Sequence, residues 1–277
     1  MGERPSVGFE ALISHRFRGF APLENTLPGL RAALDFGVLN LEFDVRVDAC
    51  GKPMIYHDEF APDKDGINRH LCDYPASQFD RLGGRFGAIP NFEALLSTID
   101  HHTNKQARFL VDIKDQGFEE AIHALIMFYR LEQRVTYVSW LPEVLYRLHE
   151  IAPSIPLCLS HWCGPISAEV AAKHRIFISE DGQIPRDPTP YITGVRSGWA
   201  LKKPLTGDLL TTIRATEGGI CVPEMLLTQE LSAYYHQHDL WVSTFSYTSW
   251  ADINRHKRTL DVDLFFVDNK QVFEALV

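Results

Sequence analysis

The chain has 277 residues, and 27 Lys+Arg against 36 Asp+Glu give a formal net charge of −9, which argues against a protein held on nucleic acid by general electrostatics. A content of 45% hydrophobic and 23% charged residues describes a folded globular protein with a large core, and excludes a disordered chain and a disulfide miniprotein. The five cysteines, Cys50, Cys72, Cys158, Cys163 and Cys221, are scattered and form no C-x-x-C pair, so neither a disulfide framework nor a zinc ribbon is expected and a reducing compartment is the simpler assignment. The N-terminal MGERPSVGFEALISHRF has no apolar run of signal-peptide length, and no later stretch reaches the roughly 18 apolar residues that cross a bilayer. The expectation is a cytoplasmic protein without stable membrane insertion.

In chain order, short β-branched or aliphatic runs alternate with stretches of helical period. Strands are predicted at Phe9–Ser14, Val38–Val47, Met54–His57, Arg108–Lys114, Val135–Ser139, Pro156–Leu159, Gly219–Val222, Leu240–Phe245 and Leu264–Val267. Helices are predicted at Thr26–Phe36, Phe92–His101, Phe118–Leu131, Pro142–Glu150, Thr228–His238 and Trp250–Arg258. Ala61–Gly87, rich in Gly and Asp, reads as one irregular excursion between the third strand and the next helix. Such alternation over this length fits an α/β protein, a (β/α)8 TIM barrel forming a single domain over residues 1–277. A doubly wound open sheet gives similar local signals, but no G-x-G-x-x-G or P-loop follows an early strand.

The informative anomaly is charge at strand ends. In NLEFDVRV, Leu41, Phe43, Val45 and Val47 alternate with Glu42, Asp44 and Arg46, so the strand period puts both carboxylates on one face. Asp112 and Lys114 share a face in the same way, while His15 and His57 close two predicted strands. The alternation alone equally fits solvated carboxylates on an exposed sheet face. In a barrel mouth, however, clustered carboxylates need a bound cation or basic side chains, and an oxygen-only set favours one hard divalent ion, Mg²⁺ or Ca²⁺. The other histidines, such as His101, His123, His149, His174 and His256, fall in or near helical stretches and read as surface residues.

His15-Arg16, Glu24-Asn25-Thr26, Glu42-x-Asp44 and His57-Asp58, in this order and spacing, resemble the signature of the glycerophosphodiester phosphodiesterase family. Further echoes are Ile89–Glu93, Phe109–Lys114, Val138–Trp140 and Asp263–Asp268. The resemblance implies that Glu42, Asp44 and Asp112 hold the metal, that His15 and His57 act as acid and base, and that Arg16 and Lys114 hold phosphate oxygens. Glu24, Asn25 and Asp58 would support them. The substrate implied is a small phosphodiester, cleaved to an alcohol and glycerol 3-phosphate.

Three positions depart from the family pattern. Phe17 stands where a Gly follows His-Arg and is expected to narrow substrate entry; Asp112 replaces a Glu; and Phe245-Ser246-Tyr247-Thr248 stands for W-T-x-N, which places Phe245 in the expected substrate pocket. Two alternatives keep the fold. One is a lysophospholipase D-like or sphingomyelinase D-like diesterase acting on a lipid headgroup; the other is a phosphate-ligand binder without turnover.

Overall fold

The computed structural model describes residues 7–160 and 203–277, with 162–163, 169, 172, 177–179 and 199–201 between them. The strands are β1 (Leu12–His15), β2 (Asn40–Val47), β3 (Pro53–Ile55), β4 (Phe60–Pro62), β5 (Asn68–His70), β6 (Arg108–Ile113) and β7 (Val135–Ser139). They continue with β8 (Leu157–Ser160), β9 (Trp162–Cys163), β10 (Phe177–Ser179), β11 (Trp199–Leu201), β12 (Gly219–Pro223), β13 (Trp241–Tyr247) and β14 (Leu264–Val267). The helices are α1 (Leu27–Phe36), α2 (Phe79–Leu82), α3 (Phe92–His101), α4 (Glu119–Phe128), α5 (Pro142–Ile151), α6 (Gly207–Ala215), α7 (Gln229–Gln237), α8 (Trp250–Thr259) and α9 (Lys270–Glu274).

Eight parallel strands, in the order β1-β14-β13-β12-β8-β7-β6-β2, close on themselves through β1–β2 pairing. The fold is a (β/α)8 barrel. Strand alternation divides its apolar side chains: Ile13, Leu110, Val138, Cys158, Cys221 and Phe266 form an inner cluster, whereas Leu41, Phe43, Val45, Val111, Leu157 and Val222 belong to the large core shared with the helices. Asn91, Thr228 and Ser249 each accept a backbone N–H from the first turn of α3, α7 and α8, so strand-to-helix loops end on capping residues. No helix among the described residues is long and apolar enough to cross a membrane.

Two expectations change here. The third predicted strand is no barrel stave: β3 runs antiparallel to β2, pairing Val45 with Ile55 and Val47 with Pro53, and His57 lies two residues beyond it. The excursion that follows is also ordered. It contains the antiparallel β4–β5 pair and contributes Ala61, Leu71, Phe79 and Phe86 to a buried cluster completed by Met54, Tyr56 and Ile89. Helices α6 and α9 were not predicted, and the Leu240–Phe245 strand extends to Tyr247. Two histidines expected at the surface instead serve packing: His123 bonds the buried Tyr137 hydroxyl and His256 the buried Tyr247 hydroxyl, at 2.9 and 2.8 Å. His174 lies outside the described residues.

Phe17 is a third correction. It is fully buried in the large core, its ring 6.2 Å from that of Phe43, and it does not line a substrate pocket. Its φ of +60° is left-handed, a conformation glycine adopts at no steric cost, so a glycine at this position serves the backbone turn. Gly29 in α1 lies against this turn, where an added Cβ would come 3.1 Å from the Phe17 Cβ. Phe17→Gly relieves about 1–2 kcal/mol of backbone strain but forfeits about 3–5 kcal/mol of ring burial. Urea unfolding should therefore show a net loss of about 1–4 kcal/mol relative to the wild type.

Candidate active site

The strand register assembles the site. His15 on β1 pairs with Glu42 on β2, and Asp44 pairs with Asp112 on β6, so the C-terminal ends of three adjacent staves bring these groups together. Ile13 and Leu110 lie inside the barrel, and residues two further along, His15 and Asp112, project to the same side. Glu42, Asp44 and Asp112 are all buried, and each offers an oxygen within 4.8 Å of the others.

Two cations answer these three carboxylates. Arg16 Nε lies 3.2 Å from Asp44 Oδ2, and Lys114 Nζ lies 3.1 Å from Asp44 Oδ1 and 2.5 Å from Asp112 Oδ2. Asn25 Nδ2 donates to Asp44 Oδ2 at 2.8 Å, and Glu24 receives Arg16 Nη1 at 3.3 Å. Burial pushes the Asp44 carboxyl up, but Arg16 and Lys114 override it and hold the group well below its ordinary range. Glu42 has less compensation. Burial and then Asp44 raise it well above the ordinary range. Burial works against the Lys114 ammonium, but Asp112 and Asp44 outweigh it and raise the pKa.

This donor set fits a hard divalent cation. It is all oxygen, it carries a shortfall of positive charge, and Asp112 Oδ1 is buried without a hydrogen-bond partner. Glu42, Asp44 and Asp112 could hold such an ion.

The histidines flank the carboxylates. His15 Nδ1 lies 2.6 Å from Asp268 Oδ1, which fixes Nδ1 as the protonated nitrogen and leaves the Nε2 lone pair, 3.9 Å from Glu42 Oε2, facing the site. Burial, then Arg16, lowers the His15 pKa to about 4. His57 Nδ1 lies 2.7 Å from Asp58 Oδ1; burial lowers its pKa, while Asp44 and the Asp58 hydrogen bond oppose that effect. Phe245 stands beside His15, ring centroids 6.5 Å apart.

Asp268 and Arg18 were not foreseen. Asp268 follows β14 and bonds His15 across 253 positions of sequence, and Arg18 donates to Asp268 Oδ2 at 2.8 Å and to Glu24 Oε2 at 2.5 Å. The available signal was a carboxylate immediately after the last stave, the same place in its βα unit that the other site residues occupy in theirs.

The family model "Glycerophosphoryl diester phosphodiesterase family" matches residues 13–161, more than half of the chain. The chain belongs to the glycerophosphoryl diester phosphodiesterase family. The human glycerophosphodiester phosphodiesterase 1 is 27% identical over 192 residues, covering 61% of this chain and 56% of that protein. The bovine protein of the same name is 27% identical over 160 residues, covering 54% and 48%. The chain thus spans about half the length of the curated relatives it matches. A solved structure from Silicibacter pomeroyi DSS-3 shares the fold with TM-score 0.69 at 21% identity, over 99% of this chain and 94% of that one. An Oleispira antarctica phosphodiesterase, solved with the product sn-glycerol-3-phosphate, shares it with TM-score 0.63 at 16% identity, over 96% of each chain. The matched segment holds every family-type site residue named above except Phe245, and Asp268 also lies beyond it.

Asp268 is held down to about 2, because the His15 hydrogen bond and charge outweigh the opposing effect of burial. A carboxyl whose folded pKa is depressed stabilises the fold above its unfolded value near 3.8 and loses that contribution as pH falls through about 2. The stability difference between wild type and Asp268→Asn should therefore be full above pH 4 and shrink toward pH 2, measured by chemical unfolding across that range.

Proposed function

We propose that the chain hydrolyses a glycerophosphodiester to an alcohol and glycerol 3-phosphate, with one divalent cation, Mg²⁺ or Ca²⁺, held by Glu42, Asp44 and Asp112. The observation that carries the reading is the convergence of three buried carboxylates, the Arg16 and Lys114 cations and a carboxylate-oriented imidazole at the end of one barrel. A bound divalent ion would neutralise charge that builds on the phosphate oxygens as the P–O bond breaks.

The chain's own groups have distinct tasks. Arg16 and Lys114 bind and orient the anionic diester, exchanging part of their present carboxylate pairing for phosphate oxygens. His15, buried and neutral, takes at Nε2 the proton of the attacking oxygen, either water directly or a neighbouring glycerol hydroxyl whose cyclic product water then opens, and Asp268 keeps that nitrogen free and then stabilises the imidazolium. His57, held at Nδ1 by Asp58, gives a proton to the leaving alkoxide. Phe245, beside His15, packs against the organic part of the substrate. Glu24 and Asn25 hold Arg16 and Asp44 in place.

A second reading, a diesterase acting on a lysolipid headgroup, draws on one feature. An apolar groove of about 480 Å³, lined by Pro22, Leu23, Leu27, Ile89 and Pro90 among others, borders the loop that carries Glu24 and Asn25. Faster turnover of lysophosphatidylcholine than of glycerophosphocholine would favour it.

His15→Ala and His57→Ala are each expected to lower kcat on glycerophosphocholine by about 10²–10⁴-fold, with the fold retained by circular dichroism. Chelation should abolish turnover reversibly. Because burial, then Asp44, raises the Glu42 pKa and a cation binds the carboxylate form, cation affinity measured by calorimetry should rise with pH. Unchanged activity in either histidine variant would overturn the assignment.

A further inference from the structure

Among the proposed acid–base, metal-holding and phosphate-holding residues, His57 alone is neither on nor directly after a barrel strand. It follows β3, a three-residue antiparallel strand tied to β2, and the last backbone link before it is Tyr56 N to Asp44 O at 3.1 Å. Beyond that point a side chain takes over. Arg46 Nε donates to the His57 carbonyl at 2.8 Å, Arg46 Nη1 donates to Asp115 Oδ1 at 2.6 Å, and the Val47 N–H donates to Asp115 Oδ2 at 2.9 Å.

Arg46 shares the face of β2 that carries Glu42 and Asp44, one step nearer the strand end. There its guanidinium reaches sideways to the turn that presents His57, and Asp115, in the loop after β6, sets its angle. The Arg46 side chain is 11% exposed, and charge-assisted bonds of this kind are roughly twice as strong as neutral ones. A largely buried ion pair adds little to stability once its desolvation is counted, so this clamp has more to do with geometry than with holding the fold.

We infer that Arg46, fixed by Asp115, is a positioning residue that holds the His57 backbone so that its imidazole faces the site. Two barrel strands, β2 and β6, thereby fix a residue that neither of them carries. The inference rests on the proposed phosphodiesterase reading for what His57 does, but the placement itself is independent of it.

The test uses Arg46→Met, which keeps the stem's apolar bulk and removes the hydrogen bonds. On a glycerophosphodiester with an alkyl leaving group, kcat should fall by about 10²-fold, as a displacement near 1 Å can cause, while KM stays nearly constant. Added to His57→Ala, the substitution should cost nothing further. With a 4-nitrophenyl phosphodiester, whose leaving group needs no proton, the loss should shrink. Asp115→Asn should give a smaller effect of the same kind. Independently of turnover, ¹⁵N-histidine spectra should show the His57 ring signal, assigned by its absence in His57→Ala, shifted or broadened in Arg46→Met while the His15 signal stays. A loss confined to KM, full additivity with His57→Ala, or an unchanged His57 signal would overturn the inference. If wild-type protein turns over no diester, the phosphodiesterase reading falls, and the His57 signal alone decides the clamp.

Discussion

Three buried carboxylates within 4.8 Å of one another set the constraint that the rest of the site answers. At an effective dielectric constant near 20, each ionised pair at such a separation repels by about 3–4 kcal/mol. Arg16 and Lys114 cancel two of the charges, and both approach Asp44, the central group. Neither cation forms an ion pair with Glu42, and burial and then Asp44 raise its pKa well above the ordinary range. The protein thus provides two cations for three anions and leaves a deficit that a divalent ion, or a proton, must fill. A barrel end with matched charges would be more stable and would have less use for a metal.

The turn after β1 shows how backbone geometry serves this arrangement. Arg16, Phe17 and Asn25 all have left-handed φ, between 54° and 60°. Arg16 N donates to the Glu42 carbonyl at 3.0 Å and lies 3.1 Å from Glu42 Oε2, and Asn25 N returns the loop to the Arg16 carbonyl at 2.8 Å. Such residues cost strain, and the surrounding contacts hold them there: Phe17 by its burial against Phe43, Asn25 by its bond to Asp44, and Arg16 by its pairing with Asp44 and Glu24.

Much of this was legible because it depends on local period. Alternation in β2 placed Glu42 and Asp44 on one face, and helical period located α3, α7 and α8. What escaped depends on partners that local sequence does not name. Nothing in Met54–His57 distinguishes a stave from a short strand added antiparallel to β2, because pairing direction is fixed by the turn and not by the residues. Phe17 reads as an obstruction until its φ is known. The excursion's cluster joins Met54 to Ile89, residues too far apart for a periodic signal, and the His15–Asp268 bond spans nearly the whole chain.

That last bond changes how the site relates to the fold. The strand pairs that close the barrel are β14–β1, β1–β2 and β2–β6, and each is crossed by side-chain contacts of the site. His15 and Arg18 meet Asp268, Arg16 and Asn25 meet Asp44, and Lys114 joins Asp44 to Asp112. Barrel closure and site assembly are consequently one event: until β14 docks against β1, His15 has neither the carboxylate that selects its tautomer nor the burial that keeps it neutral. The family match ends at residue 161, yet the group that orients His15 arrives only with the final strand, so the chemistry of the N-terminal motifs depends on the C-terminal end of the barrel.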